Sequence, residues 1–161
     1  VMVDDQGENC ILVIPGANAL LTPADIDAQE AVIAASEVVV LQLETPIPTV
    51  LHAIEVARRH RKLVILNPAP MGHGFDTQLF GVDVLCPNRG EAEVLLARKI
   101  DSVEDAMRAV HDLKQLGPKL AIITLGSDGA VAISDGAPIW TKPFNIQPVD
   151  TTAAGDAFVG A

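Results

Sequence analysis

A chain of 161 residues with 49% apolar and 20% charged side chains is long enough to bury a sizeable core within one globular domain. Eleven basic against 21 acidic residues give a formal net charge of −10, which argues against a nucleic-acid or anionic-membrane surface. An anionic ligand would have to be held by local backbone donors, not by a basic patch. Cys10 and Cys86 each lie inside a hydrophobic run, so buried reduced thiols are expected rather than a disulfide. No apolar stretch reaches the length of a bilayer span, and this balance fits an acidic cytoplasmic protein.

Along the chain, apolar-rich runs at 1–5 and 9–14 flank Asp5-Gln6-Gly7-Glu8 and predict a β-hairpin. Pro15-Gly16-Ala17-Asn18 reads as a loop. Thr22-Pro23 then supplies an N-cap and a first-position proline for a helix to about Ala35. From there strands and helices alternate. Residues 38–43 form a run, apolar but for Gln42, suited to a strand buried on both faces, and Val50, Ala53, Ile54 and Ala57 mark the apolar stripe of the next helix. Further strands are expected at 63–66, 82–86 and 120–124, with a helical turn at 76–80 and helices at 91–97 and 102–116. Short strands at 131–134 and 138–141 around Asp135-Gly136 predict a second hairpin.

Strands joined by helical crossovers imply a parallel sheet, whose ligands collect beyond the carboxyl ends of the strands. Glu44, Asn67, Asn88 and Gly126 each follow a predicted strand, and Gly155 lies in the last turn. Several of these positions carry two readings. Glu44 ends an apolar strand, either as an exposed strand-end residue or as an acceptor for a polar ligand. Asn88 and Glu91, three apart at a helix start, form either a plain capping box or a pair facing one mouth. Thr124-Leu125-Gly126-Ser127-Asp128-Gly129 is either a turn between two strands or a loop presenting amides and hydroxyls to phosphates. At Ala153-Ala154-Gly155-Asp156, small residues at a helix start suit an anion. Asp156 is then either a dipole-favoured acid or a base for a hydroxyl attacking a phosphate. The four histidines have no zinc-ligand spacing.

Taken in order, Pro15-Gly16-Ala17-Asn18, Gln42-Leu43-Glu44, Leu66-Asn67-Pro68-Ala69-Pro70, Pro87-Asn88-Arg89-Gly90-Glu91-Ala92-Glu93, the 124–129 loop and Asp150-Thr151-Thr152-Ala153-Ala154-Gly155-Asp156-Ala157-Phe158 resemble the ribokinase-like (PfkB) carbohydrate kinases across the whole chain. The resemblance implies a doubly wound α/β fold, a mainly parallel sheet with helices on both faces. Residues 1–161 would be the central and C-terminal part of one kinase domain, lacking the N-terminal sugar-binding part and the C-terminal end. It further implies phosphoryl transfer from ATP to D-ribose, giving D-ribose 5-phosphate; a related fructose or nucleoside kinase and a catalytically silent binding module are the alternatives.

The roles implied for individual residues follow the motifs. Asp156 would be the base and touch the sugar, with the backbone of Ala153, Ala154 and Gly155 stabilising the transferring group. Glu44 would bind the sugar. ATP would be held by Asn88, Thr124, Leu125, Gly126, Ser127, Asp128, Gly129, Gly155 and Asp156. Glu91 would hold Mg²⁺ through water, and Asp150 with the carbonyl of Thr152 would hold a monovalent cation, K⁺. Arg89 and Gly90 depart from the family pattern between Asn88 and Glu91. A homodimer is implied for the full-length protein, with no nucleic-acid or membrane partner.

Overall fold

The computed structural model describes residues 12–71, 75–146 and 151–161, and of the first eleven residues only the backbone of two short strands. Those strands, β1 (Met2–Val3) and β2 (Asn9–Cys10), pair antiparallel with Met2 opposite Cys10, as the hairpin pattern predicts. Residues 5–8, which would form the turn, lie outside the described residues.

The expected loop at residues 15–18 is instead part of a 3₁₀ turn, Gly16–Leu20, in which the Asn18 amide donates to the Pro15 carbonyl at 2.9 Å. The helix expected from Thr22 to about Ala35 forms as two, α1 (Pro23–Ala28) and α2 (Glu30–Ala35). Thr22 caps α1 in a full capping box with Asp25, with Pro23 at the first helical position. The break falls at Gln29, whose φ of −109° and ψ of 13° leave the helical range. Its amide bonds to Ile26 with tight i→i−3 spacing, at 3.0 Å.

The remaining elements follow the predicted order. They are β3 (Val38–Leu41), α3 (Ile47–Arg59), β4 (Leu63–Leu66), a 3₁₀ turn (Thr77–Phe80), β5 (Val84–Leu85), α4 (Arg89–Leu96), α5 (Val103–Gln115), β6 (Leu120–Thr124), a 3₁₀ turn (Gly126–Asp128), β7 (Ala130–Ile133), β8 (Ile139–Thr141) and α6 (Ala154–Gly160). The last six strands, β3 to β8, form one sheet in sequence order. Strands β3 to β6 run parallel and β7 and β8 close it antiparallel, the latter pair being the predicted hairpin.

Alternation along the strands decides which face is packed. Val64, Leu66, Leu85, Ala121, Ile123, Val131 and Ile133 are buried, and they form a single core with Val50, Ile54 and Ala57 of α3 and Ala106, Val110 and Leu113 of α5. Each fully buried side chain of this size contributes roughly 1.5–3 kcal/mol relative to exposure. Helices α1 and α2 lean on α3 through polar ties: Thr49 donates to the Leu21 carbonyl, His52 Nε2 meets Asp27 Oδ1, and His60 Nε2 meets Glu30 Oε1.

Strand β3 departs from expectation. It ends at Leu41, and Val38 and Val40 are 44% and 40% exposed, so the run is not buried on both faces. It is the outermost strand of the described sheet, and among the described residues no layer covers Val38 and Val40. An all-apolar run specifies a strand but not how many layers cover it.

Candidate active site

Three neighbouring strands deliver polar residues to one place. Asn67 directly follows β4, Cys86-Pro87-Asn88 follow β5, and Thr124 is itself the last residue of β6. The sheet spacing is maintained past the strands themselves. The Asn67 amide donates to the Leu41 carbonyl at 2.9 Å, Cys86 to Leu66 at 2.9 Å, and Thr124 to Pro87 at 3.1 Å. Asn88 and Thr124 form a further parallel bridge. The first turn of α6 stands across from these strand ends. Between them lies a cavity of about 200 Å³, with Asn67, Asn88, Glu91 and Thr124 on the sheet side and Ala153, Ala154, Gly155 and Asp156 on the helix side.

Both readings of Asn88 and Glu91 are realised in one arrangement. The Asn88 side chain accepts from the Glu91 amide at 2.9 Å, while Glu91 Oε2 accepts from the Asn88 amide at 2.8 Å and Oε1 from Asn88 Nδ2 at 2.9 Å. This box starts α4 and aims a carboxylate into the cavity wall. Glu91 is only 9% exposed, and burial pushes its carboxyl above the usual glutamate range even though the Asn88 amide works the other way. Among the described residues it has no ion-pair partner. Beside it, burial, and then the Glu91 charge, push the Cys86 thiol up to about 12, so it stays protonated and unreactive at neutral pH.

Across the cavity, Ala153 takes a left-handed backbone, φ 57°, as α6 begins, and no side chain caps the helix. Asp156 follows in the first turn, exposed. Amides of a helix's first turn lack intrahelical acceptors and point outward along the axis, where a negative group is favoured. With Glu91 and Asp156 the cavity has two carboxylates, and among the described residues no basic side chain lines it.

Other predicted residues take different places. Leu125 is buried in the core, and its amide donates to the Gly129 carbonyl at 2.8 Å. Gly126, Ser127 and Asp128 form the exposed 3₁₀ turn just beyond Thr124, outside the cavity lining. That turn is fixed from two sides, by an Arg89 to Asp128 ion pair and by Trp140 Nε1 donating to the Asp128 carbonyl at 2.9 Å. Arg89, which breaks the motif pattern, thus ties the start of α4 to the 124–129 loop. Glu44 is exposed and does not line the cavity, although the Leu43 amide donates to the carbonyl of Ala69, which does. Thr152 is exposed beside the cavity residues Thr151 and Ala153, and Asp150 lies outside the described residues.

The sequence puts Asn67 at a strand end but assigns it no role. It is 8% exposed and lines the cavity, and among the described residues its side-chain Oδ1 has no hydrogen-bond partner. The signal was present: a polar residue ends the apolar run Leu63-Val64-Ile65-Leu66, the same feature that drew attention to Glu44.

A crevice at the carboxyl ends of parallel strands, faced by helix starts, defines the ligand position of an open α/β protein. The chain belongs to the pfkB family of carbohydrate kinases, whose model matches residues 1–161. It is 36% identical over 162 residues to a ribokinase of Staphylococcus aureus, covering 100% of this chain and 53% of that protein. It is 35% identical over 161 residues to a deoxyribokinase of Salmonella typhi, covering 99% and 53% respectively. A solved structure of Arabidopsis thaliana ribokinase complexed with ribose and ATP superposes with a TM-score of 0.84 at 27% identity, over 99% of this chain and 53% of that one. The chain thus spans about half the length of the curated relatives it matches.

Proposed function

We propose that the full-length protein transfers the terminal phosphoryl group of ATP to the primary hydroxyl of D-ribose, and that the cavity between the strand ends and α6 is the transfer centre. The observation that carries this reading is the meeting of Asp156, the 153–155 turn and the Asn88–Glu91 box around one cavity. A volume of about 200 Å³ is below the roughly 300–1,000 Å³ of a typical ligand pocket, so it suits the point where two substrates meet. ATP and ribose both occur with the Arabidopsis relative.

In this reading the Asp156 carboxylate takes the proton of the sugar hydroxyl as that oxygen bonds to the γ-phosphorus. The bond from phosphorus to the β,γ-bridging oxygen breaks, and ADP leaves. Amides at the start of α6 face the negative charge spreading over the transferred group. A cavity with two carboxylates and, among the described residues, no basic side chain repels phosphate unless a cation enters with it. All the acceptors available are oxygens. Among the described residues there is no cluster of three or more His, Cys, Asp or Glu side chains that could hold a metal ion, which suits a cation that keeps its waters, as Mg²⁺ does. Glu91 would hold it through water, and when bound it neutralises phosphate charge. Glu44 would accept sugar hydroxyls from the neighbouring turn. The 124–129 loop would lie along the nucleotide, and the Thr152 carbonyl with Asp150 would hold K⁺. The acidic composition and the protonated buried thiol of Cys86 support a cytoplasmic setting.

Asp156→Asn in the full-length protein keeps the shape and removes the base, so turnover falls by roughly 10²–10⁴-fold while ATP and sugar affinities persist. Steady-state kinetics with binding measurements on folded protein check this, and near-normal turnover at saturating substrates refutes it. The similar identity to a deoxyribokinase makes 2-deoxyribose the acceptor to compare with ribose in the same assay.

A further inference from the structure

The Asn67 carbonyl is a buried acceptor with no donor among the described residues, placed in the wall of a cavity. Its neighbours do not supply one. Asn88 Nδ2 is already committed to Glu91 Oε1 at 2.9 Å, and the thiol of Cys86 is at best a weak donor. On the same wall Glu91 holds a buried carboxylate whose oxygens, among the described residues, accept only from Asn88, with no ammonium or guanidinium beside it. Two acceptors therefore face one small space: a charged one that accepts only from its own capping partner and a neutral one that, among the described residues, has no donor. Buried acceptors are ordinarily satisfied, and an exception at a cavity wall points to something that binds there.

We infer that Asn67 is a positioning residue for the hydrated divalent cation, its Oδ1 accepting from a cation-bound water. A hydrated cation presents O–H donors in every direction, which matches an acceptor pair better than a phosphate does, since a phosphate would bring more acceptors. A neutral amide also suits this place. It orders a water without adding a third carboxylate to a cavity that must admit phosphate. The inference rests on the proposed function and extends it to a residue to which that reading gave no role.

The test uses Mn²⁺ as probe, titrated into the full-length protein with and without ADP, with free Mn²⁺ read by electron paramagnetic resonance. Asn67→Leu is expected to weaken Mn²⁺ binding by about tenfold, in the range seen for residues that orient a metal's inner ligands. Asn67→Asp, which keeps the acceptor and adds charge, is expected to tighten it. Unchanged Mn²⁺ affinity in Asn67→Leu overturns the inference, as does unchanged or weaker affinity in Asn67→Asp, which decides alone if the leucine variant does not fold. Loss of ribose affinity in place of Mn²⁺ affinity would reassign Asn67 to the sugar and equally overturn it. Glu91→Gln separates the two layers: if that variant also leaves Mn²⁺ binding unchanged, the metal role of the box fails, and with it the reading on which this inference depends.

Discussion

Ala97 ends α4 in the left-handed region, φ 50° and ψ 39°, where a side chain is disfavoured by about 1–2 kcal/mol. Its amide donates to the Val94 carbonyl at 3.3 Å, so the geometry closes the helix rather than merely tolerating a distortion. Glycine adopts this conformation freely but gives up about 0.5–1 kcal/mol of unfolded-chain entropy. Ala97→Gly is therefore expected to stabilise the protein by about 0.5–1 kcal/mol in urea denaturation, with an unchanged denaturant slope. Ala153 has nearly the same backbone, φ 57°, but it lines the cavity, so its methyl group also shapes the site. Neither conformation is legible in the residues, because alanine elsewhere signals an ordinary helix.

Helix α5 shows how far local pattern reaches. Apolar positions 103, 106, 107, 110 and 113 predict one buried stripe, and Ala106, Val110 and Leu113 are fully buried, with Ala109 added between them. Ser102 starts it as expected, its hydroxyl accepting from the Asp105 amide at 3.0 Å. Leu113 is 0% exposed against the β6 and β7 side of the core, so Leu113→Ala should cost about 2–5 kcal/mol, read as a lowered denaturation midpoint. A cost below about 1 kcal/mol would mean that the core collapses around the gap. Strand β3 marks the limit of the same reasoning. Its four valine and leucine residues specify extended backbone, but what covers each face depends on elements far away in the chain.

For the molecule as a whole, acid stability depends on carboxylates whose protonation differs between folded and unfolded chains. Burial alone would raise Asp83, but Lys119 Nζ at 2.7 Å and the Val64 amide at 2.8 Å outweigh it and hold the carboxyl below its ordinary value. The folded state then binds the proton less tightly than the unfolded one. Asp83 contributes stability above the ordinary carboxylate range, and that contribution is lost as pH falls through its lowered value. Asp83→Asn should accordingly lower the thermal midpoint at neutral pH, with the difference from wild type shrinking on acidification. A constant difference across pH would show that the residue acts through packing alone. Glu91 has the opposite sign: its value is raised, so the fold favours the protonated form, and its contribution is lost as pH rises through that value. A site that wants Glu91 charged is thus stabilised less by folding than by what binds there.

Much of this protein was determined by its sequence alone. The strand and helix order, the caps at Thr22, Asn88 and Ser102, and the identity of the motifs all follow from short-range chemistry, in which a residue's period, its turn preference or its capping oxygen acts within a few positions. The sequence also placed Asn88, Thr124 and Asp156 at strand ends or helix starts, where parallel sheets collect ligands. Tertiary structure decided which of these residues share a cavity. Asn67 and Asp156 are far apart in the chain and meet only because β4, β5 and β6 are neighbours and α6 returns across their ends. It also decided that Arg89 clamps Asp128, that Leu125 belongs to the core, and that the Asn67 carbonyl faces the cavity without a donor. Those outcomes depend on burial and on long-range pairing, and a hydrogen bond's absence can be known only when every neighbour has been placed.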